Sequence, residues 1–159
     1  MKRLIVMRHG RAESSNSQGD RFRALTQRGV DEVTTIVRNL MSQGLEWKPD
    51  FVLCSNAIRA KQTWDVVTAA WGLNCPLKYD DELLSIEVSY LIRKIEGFPE
   101  KSHCALLVGH NPAFESLCYQ CYENSHHLSP GEAMLLRSVE RDWYAAISDE
   151  WQLEKHLKL

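Results

Sequence analysis

Three short apolar segments of this chain each end in residues that can bind or attack an anion. The residues are Arg8-His9-Gly10 after LIVM (4–7), Ser55 and nearby Arg59 after FVLC (51–54), and Gly109-His110 after ALLV (105–108). Arginine forks match phosphate oxygens in a bidentate way, and a neutral imidazole can attack phosphorus to form a covalent phosphohistidine. These residue types therefore predict a site that binds a phosphoryl group and transfers it.

Within that site each residue has an expected task. His9 is the candidate nucleophile, because one ring nitrogen can attack while the other donates a hydrogen bond that fixes the ring. Arg8 and Arg59 would neutralise the phosphoryl oxygens, and His110 would add a further phosphate contact. Gly10 would let the backbone approach the ligand closely, since it has no Cβ.

The same residues give no indication of a metal site. The sequence has no cluster of Asp residues to hold Mg²⁺ near the three segments, and its histidines do not show a zinc spacing such as HExxH. We therefore expect no metal and no cofactor.

Alternation of strand and helix patterns explains how residues so distant in sequence could meet. Strands over 3–7, 49–55 and 104–110 alternate with helices over 25–45, 56–72 and 85–98, and Thr26 is a suitable N-cap for the first helix. Asn111 is the expected N-cap of a helix that begins at Pro112. The pattern predicts an α/β three-layer sandwich, in which a mostly parallel central sheet is flanked by helices. Ligands bind at the carboxyl ends of parallel strands, so the three segments would converge at one edge.

The end of the chain has a different pattern. Residues 132–140 and 141–150 resemble two strands, joined at 140–142, that would add an antiparallel pair at one side of the sheet.

Composition limits the classes of protein that the chain can belong to. Its 159 residues suit one domain over 1–159, and no apolar run approaches the roughly 20 residues that cross a bilayer. Five cysteines, an odd number, and the absence of an export signal predict reduced thiols and a cytoplasmic monomer that binds neither membrane nor nucleic acid. The net charge is −2, but residues 1–28 carry seven basic side chains against Glu13 and Asp20. Such a local surplus of positive charge is suited to binding a small anionic group.

Taken together, VMRHGRAE (6–13), CSNAIRAKQT (54–63) and LLVGHNP (106–112) resemble the three signatures of the histidine phosphatase superfamily, whose fold is phosphoglycerate-mutase-like. The segment LTQRG (25–29) is also similar. The resemblance implies that His9 is the nucleophile, that Arg8 and Arg59 are the two arginines, and that His110 is the second histidine. The compact chain is most similar to the SixA-like branch, which implies a phosphohistidine phosphatase with a phosphorelay domain or a phosphohistidine carrier as its protein partner.

One expected feature of the larger family members is absent. They place a glutamate that acts as a general acid near the segment that here is YDDELLSIEV (79–88). Glu82 is the candidate within this segment, and Glu13 is a second candidate elsewhere in the chain. An alkoxide needs a proton in order to leave, whereas an imidazole, with a reference pKa of about 6.5, is a far less basic leaving group. The sequence therefore favours phosphohistidine in a protein as the substrate. A small-molecule phosphomonoesterase acting on a small phosphate ester, and a non-catalytic phosphate-binding module, remain alternatives.

Other candidate ligands have simpler explanations. Cys118 and Cys121 share a helical face and are followed by His126 and His127, but the spacing is not that of a zinc site. We expect buried cysteines and exposed histidines. Arg11, Arg21 and Arg23 are expected at the surface or at the rim of the site.

Overall fold

The computed structural model describes residues 1–123 and 126–159, and a six-stranded sheet forms its centre. The strands are β1 (Lys2–Arg8), β2 (Phe51–Ser55), β3 (Leu77–Asp80), β4 (Cys104–Gly109), β5 (Ala133–Ser138) and β6 (Gln152–Leu157). They lie in the order β3-β2-β4-β1-β5-β6. The pairs β1–β4, β2–β4 and β2–β3 are parallel, whereas β1–β5 and β5–β6 are antiparallel. The sheet is thus mostly parallel, as expected, with an antiparallel pair at one edge.

Helices cover both faces of this sheet. They are α1 (Gln27–Met41), α2 (Ile58–Trp71), α3 (Val88–Glu96), α4 (Ala113–Tyr122) and α5 (Trp143–Ser148), and short 3-10 turns span Asp20–Phe22, Leu45–Trp47 and Asp81–Ser85. One apolar cluster joins the sheet to α1 and α2, and a second joins the opposite face to α3, α4 and α5. The predicted three-layer sandwich is therefore confirmed. None of the described helices is both long and apolar enough to cross a membrane.

Alternate residues of β1 point into the two clusters. Leu4 and Val6 belong to the cluster beneath α4, while Ile5 and Met7 belong to the cluster beneath α1, and all four are fully buried. A strand covered on both faces needs an apolar side chain at every position. This explains why an unbroken apolar run leads directly to Arg8, which lies where the sheet ends.

The start of α1 holds the turn that follows β1. Thr26 is the N-cap, as predicted, and its hydroxyl accepts from the Gly29 N–H at 3.0 Å. The Thr26 N–H donates to the Arg11 carbonyl at 3.0 Å, and a Cβ on Gly29 would lie only 2.1 Å from that oxygen. Gly29 is therefore required because the chain passes directly over the first turn of the helix.

Residues 141–150 do not form the predicted strand. Asp142 instead caps α5 by accepting from the Ala145 N–H at 2.7 Å, and Trp143 and Ala146 are buried three residues apart on one helical face. The last strand is β6 at the edge of the sheet, in which Leu157 is buried and the other residues are partly or fully exposed. Aromatic and β-branched residues favoured a strand locally, but the cap and the burial of Trp143 decide for a helix.

Two helix ends also differ from expectation. Pro112, not Asn111, occupies the N-cap of α4, because the Asn111 side chain donates to Glu115 at 2.8 Å and to the Leu128 carbonyl at 2.9 Å. Helix α1 ends at Met41, before the predicted end at residue 45, and the Met41 side chain is exposed.

Candidate active site

The carboxyl ends of β1 and β4 bring two histidines together. The two strands pair in parallel with Arg8 opposite Gly109, and the His9 N–H donates to the Gly109 carbonyl at 2.9 Å. The rings of His9 and His110 are consequently 5.0 Å apart between centroids, and both residues are buried. The predicted convergence of the three strand ends places Arg59, from the first turn of α2, against the same pair.

The hydrogen bonds of His9 define its tautomer. Its Nδ1 lies 2.8 Å from the Gly10 carbonyl, which can only accept, so Nδ1 carries the hydrogen. Its Nε2 receives a hydrogen bond from Arg59 Nε at 3.3 Å and therefore presents a lone pair. Burial, together with the charges of Arg59 and Arg8, lowers the pKa of His9 to about 4. At neutral pH the imidazole is uncharged and has its lone pair on the nitrogen nearest to Arg59, which suits a nucleophile.

Arg59 is held from its other side by Asp20. The Arg59 guanidinium donates to the Asp20 carbonyl at 2.8 Å and to its carboxylate at 3.1 Å, and Arg23 donates to the same carboxylate at 2.9 Å. Hydrogen bonding by Arg23 and the charge of Arg59 hold the pKa of Asp20 below its usual range, in spite of slight desolvation. Asp20 was not among the predicted site residues, and its contact with Arg59, which spans 39 residues of chain, brings it to the site.

Arg8 is fixed by the segment before β5. It donates to the Leu128 carbonyl at 3.1 Å, and Gly131 N–H donates to the carbonyls of Arg8 and His9 at 3.2 and 2.9 Å. Its Nε is buried and has no hydrogen-bond partner within the described parts of the chain. A buried N–H without an acceptor is costly, and an oxyanion would satisfy it.

His110 is bound through Nε2 to the Ser55 hydroxyl at 2.7 Å. Its Nδ1 is buried and without a partner among residues 1–123 and 126–159. Burial, followed by the neighbouring His9 and Arg59, lowers the pKa of His110 to about 3. The cluster thus contains two neutral imidazoles and two guanidiniums, as the sequence predicted.

The structure adds a packing role for Gly10 to the expected approach to a ligand, which stays a prediction. A Cβ at this position would lie 2.7 Å from Val33 Cγ2 and 3.2 Å from the Gly29 carbonyl, both in α1. The Gly10 N–H is also used, because it donates to the Thr63 hydroxyl at 3.0 Å. Gly10 is therefore needed so that the turn after β1 can pack against α1.

Neither glutamate proposed as an acid has a suitable environment. The exposed Glu13 carboxylate accepts from the Ala24 N–H at 2.9 Å, and this bond holds the pKa of Glu13 below its usual range. Glu82 has an exposed side chain that pairs with Lys94 at 3.0 Å, beside β3 at the far edge of the sheet from β5 and β6. Glu13 organises its own loop, and Glu82 belongs to a surface ion pair.

The local surplus of positive charge is largely neutralised in the fold. Arg11 and Arg28 both pair with Glu32, at 3.1 and 2.7 Å, and Arg21 pairs with Asp81. Lys2 is fully buried at the opposite end of β1, where it donates to two backbone carbonyls. Arg8 and Arg59 thus provide the positive charge of the site itself, and Arg23 lies at its rim through Asp20.

The Cys–His segment near the end of α4 has the expected buried thiols. Cys118 and Cys121 are free and buried, and His127 is exposed and pairs with Glu115 at 2.9 Å. His126 is only partly exposed, contrary to expectation, because it stacks on Tyr122 and contacts the ring of His156. In the part of the chain that the structure describes, no three His, Cys, Asp or Glu side chains form a group that could hold a metal ion.

Comparison with known proteins agrees with this geometry. Residues 4–91, more than half of the chain, match the model of the histidine phosphatase superfamily (branch 1). The chain belongs to the histidine phosphatase superfamily. Two uncharacterized proteins of Mycobacterium tuberculosis are 30% identical over 111 residues, which cover 70% of this chain and 66% of each relative. The chain thus spans slightly less than two thirds of the length of these curated relatives.

Solved structures of this superfamily share the whole fold. SixA of Nakamurella multipartitia, a candidate phosphohistidine phosphatase, superposes with a TM-score of 0.85 at 23% identity, over 98% of this chain and 94% of that one. The protein histidine phosphatase SixA complexed with tungstate gives 0.83 at 21% identity, over 98% and 96% of the two chains. The predicted likeness to the compact SixA fold is confirmed.

The two depressed histidine pKa values predict how stability depends on pH. The pKa values of His9 and His110, about 4 and about 3, lie below the value of 6.5 expected in the unfolded chain. Between these values the unfolded state binds more protons, so folding stability rises with pH and is lost on acidification from about 6.5 towards 4. Urea unfolding at pH 7, 6 and 5 should show this progressive loss.

A variant pair isolates the contribution of the site. His9→Asn should weaken the dependence between pH 7 and 5 without abolishing it, because His110 still contributes, whereas His103→Asn, at an exposed histidine, should leave it as it is. An unchanged free energy of unfolding between pH 7 and 5 in the unaltered protein would contradict the burial of two neutral imidazoles.

Proposed function

We propose that this protein is a metal-independent phosphatase that forms a covalent phosphohistidine at His9 and acts on phosphohistidine in a protein partner. The arrangement of His9 carries the proposal. Its Nδ1 is held by the Gly10 carbonyl, and its uncharged Nε2 lies beside the Arg59 guanidinium. A nucleophile and the groups that bind its target are thus already aligned.

The reaction would proceed in two displacements at phosphorus. His9 Nε2 attacks the phosphorus of a phosphohistidine whose other ring nitrogen is protonated. The bond between phosphorus and the substrate nitrogen breaks, and the substrate imidazole departs as a neutral ring that needs no further proton. Arg8 and Arg59 neutralise the phosphoryl oxygens during both transfers. Water then attacks the phosphorus of phospho-His9, which releases inorganic phosphate and restores the neutral imidazole. The positive charge that these steps need comes from guanidinium groups.

The carboxylates around the site support the choice of substrate. Glu13 and Glu82 are engaged elsewhere, and Asp20, the carboxylate bonded to Arg59, has a pKa below its usual range and is ionised at neutral pH. An ionised carboxylate cannot protonate an alkoxide, whereas a departing imidazole requires much less assistance. This favours a phosphoramidate over an alkyl phosphate ester.

A series of leaving groups tests this proposal. We expect kcat/KM to be highest for a phosphohistidine protein, intermediate for an activated aryl phosphate, and low for a phosphoserine peptide and sugar phosphates. Glu13→Gln and Glu82→Gln should each keep most of the activity on phosphohistidine, because glutamine still accepts a hydrogen bond. If either glutamate were the general acid, its replacement would instead lower kcat/KM by about 10²–10⁴-fold.

The result that would favour a small-molecule phosphomonoesterase is equally clear. It is good turnover of alkyl phosphates together with a hundredfold loss in either glutamine variant. Binding of phosphohistidine without any turnover would instead indicate a phosphate-binding module.

A further inference from the structure

A buried serine lies behind the second histidine of the site. Ser55 is the last residue of β2 and is fully buried, and its hydroxyl is 2.7 Å from His110 Nε2. The same oxygen accepts a hydrogen bond from the Ala57 N–H at 3.2 Å. Ser55 therefore contacts a residue of the candidate active site without itself belonging to the arginine and histidine set.

Counting hydrogens shows which partner donates. A serine hydroxyl has one hydrogen, and within the described ranges His110 Nε2 is the acceptor that it contacts. If Nε2 carried a hydrogen instead, the hydroxyl hydrogen would be buried without an acceptor, which is costly. The hydroxyl therefore donates, and Nε2 accepts through its lone pair.

The position of the remaining imidazole hydrogen follows. With Nε2 unprotonated, neutral His110 carries its hydrogen on Nδ1, the buried nitrogen for which the described residues provide no partner. The ring lies against His9, so an N–H there can be donated to an oxygen of a phosphoryl group on His9. The opposite tautomer would present a lone pair to the same anion and repel it.

We infer that Ser55 is a positioning residue that fixes His110 in the tautomer with hydrogen on Nδ1, so that His110 donates to the transferring phosphoryl group. The inference rests on the proposed function for the use of that hydrogen, but the tautomer itself is a property of the resting protein. Losing Ser55 lowers activity by reducing the fraction of molecules whose His110 is in the competent form.

The structure provides a matched control. Ser138 is also the last residue of a strand, β5, is buried, and accepts from the backbone N–H two residues further on at 3.2 Å. Ser55 and Ser138 thus share their burial and their backbone contact, and they differ in the bond to His110. A comparison of Ser55→Ala with Ser138→Ala separates positioning of His110 from the general cost of removing a buried hydroxyl.

The first measurement is the tautomer of His110 by long-range ¹H–¹⁵N correlation in the unaltered protein. We expect the pattern of an imidazole with hydrogen on Nδ1. A pattern with hydrogen on Nε2 would overturn the inference, whether or not the protein is a phosphatase. In Ser55→Ala we expect a mixture of tautomers, while Ser138→Ala keeps the original pattern.

The second measurement is kcat/KM on an activated aryl phosphate, together with the affinity for inorganic phosphate. Ser55→Ala should lower both kcat/KM and the phosphate affinity by about tenfold. Ser55→Thr keeps the hydroxyl and should recover most of this loss. Ser138→Ala should stay within about twofold of the unaltered protein in both quantities. Equal losses in the two alanine variants would overturn the inference. If the unaltered protein shows no turnover but His110 has its hydrogen on Nδ1, the proposed function is contradicted. The tautomer assignment is then still supported.

Discussion

Replacing His9 by asparagine is expected to lower kcat/KM by about 10⁴-fold or more on every phosphorylated substrate. Loss of a covalent nucleophile removes the whole two-step route and leaves only the phosphate-binding groups. Asparagine is small enough for the site and keeps an N–H that can reach the Gly10 carbonyl, which now accepts from His9 at 2.8 Å. The large loss should therefore arise from the missing nucleophile rather than from a collapsed turn.

Trapping would test the proposed phosphohistidine intermediate directly. A rapid quench at alkaline pH with ³²P-labelled substrate should place the label on His9, and His9→Asn should show no labelled protein. The exposed His103 offers a control, since His103→Asn should label and turn over normally. Label on a cysteine or a serine, or full activity in His9→Asn, would show that the reaction follows another route.

Replacing Arg59 by alanine is expected to cost about 10³-fold in kcat/KM, to a similar extent for phosphohistidine and aryl phosphate substrates. Arg59 is buried, and its guanidinium lies 3.3 Å from Nε2 of His9, the proposed nucleophile. It would neutralise oxygens of the phosphoryl group, which is common to all substrates, and arginines in such positions contribute about 10³–10⁵-fold. Arg59→Lys should recover little, because lysine lacks the planar fork.

Arg23 is the matched control for this prediction. It also donates to the Asp20 carboxylate, at 2.9 Å, but it lies at the rim and makes no hydrogen bond to either histidine of the site within the described chain. Arg23→Ala should change kcat/KM by no more than a few-fold. A comparable loss in the two variants would mean that Asp20 and its loop, rather than Arg59, dominate catalysis.

Removing Arg59 should also change the titration of His9. The charge of Arg59 is one of the causes that lower the pKa of His9, after burial. In Arg59→Ala the pKa of His9 should therefore rise, as NMR titration can measure. An unchanged pKa would indicate that burial alone keeps the imidazole neutral.

Local sequence patterns were sufficient to predict the central strands β1, β2 and β4 and to place the four candidate site residues near their ends. Short unbroken apolar runs are typical of strands that are covered on both faces, and the candidate site residues lie within a few positions of the ends of those runs. Because parallel strands end at the same edge, Arg8, His9, Arg59 and His110 could be placed together without knowing any distance. The domain boundaries 1–159 stay a prediction, as do the roles of these four side chains in catalysis.

Tertiary packing decided what the local pattern could not. Trp143 and its neighbours have strand-forming side chains, but the Asp142 cap and a buried face under the sheet make this segment α5. β6 is an exposed edge strand with mostly polar residues, so it has no apolar signature to detect. The intrinsic preference of a residue for strand or helix is small, so packing of one face of a segment against the rest of the protein can override it.

The same holds for the finer features of the site. Gly10 was predicted for its approach to a ligand, which stays a prediction, and the fold adds a second reason for its lack of a side chain, the close approach of Val33 and Gly29 in α1. The contacts of Arg59 with Asp20 and of His110 with Ser55 span 39 and 55 residues of chain. Sequence alone determined which chemical groups the protein brings to the edge of its sheet. Only the folded structure decided which charges are neutralised and which nitrogen of each imidazole holds the hydrogen, because both depend on partners that are distant in sequence and near in space.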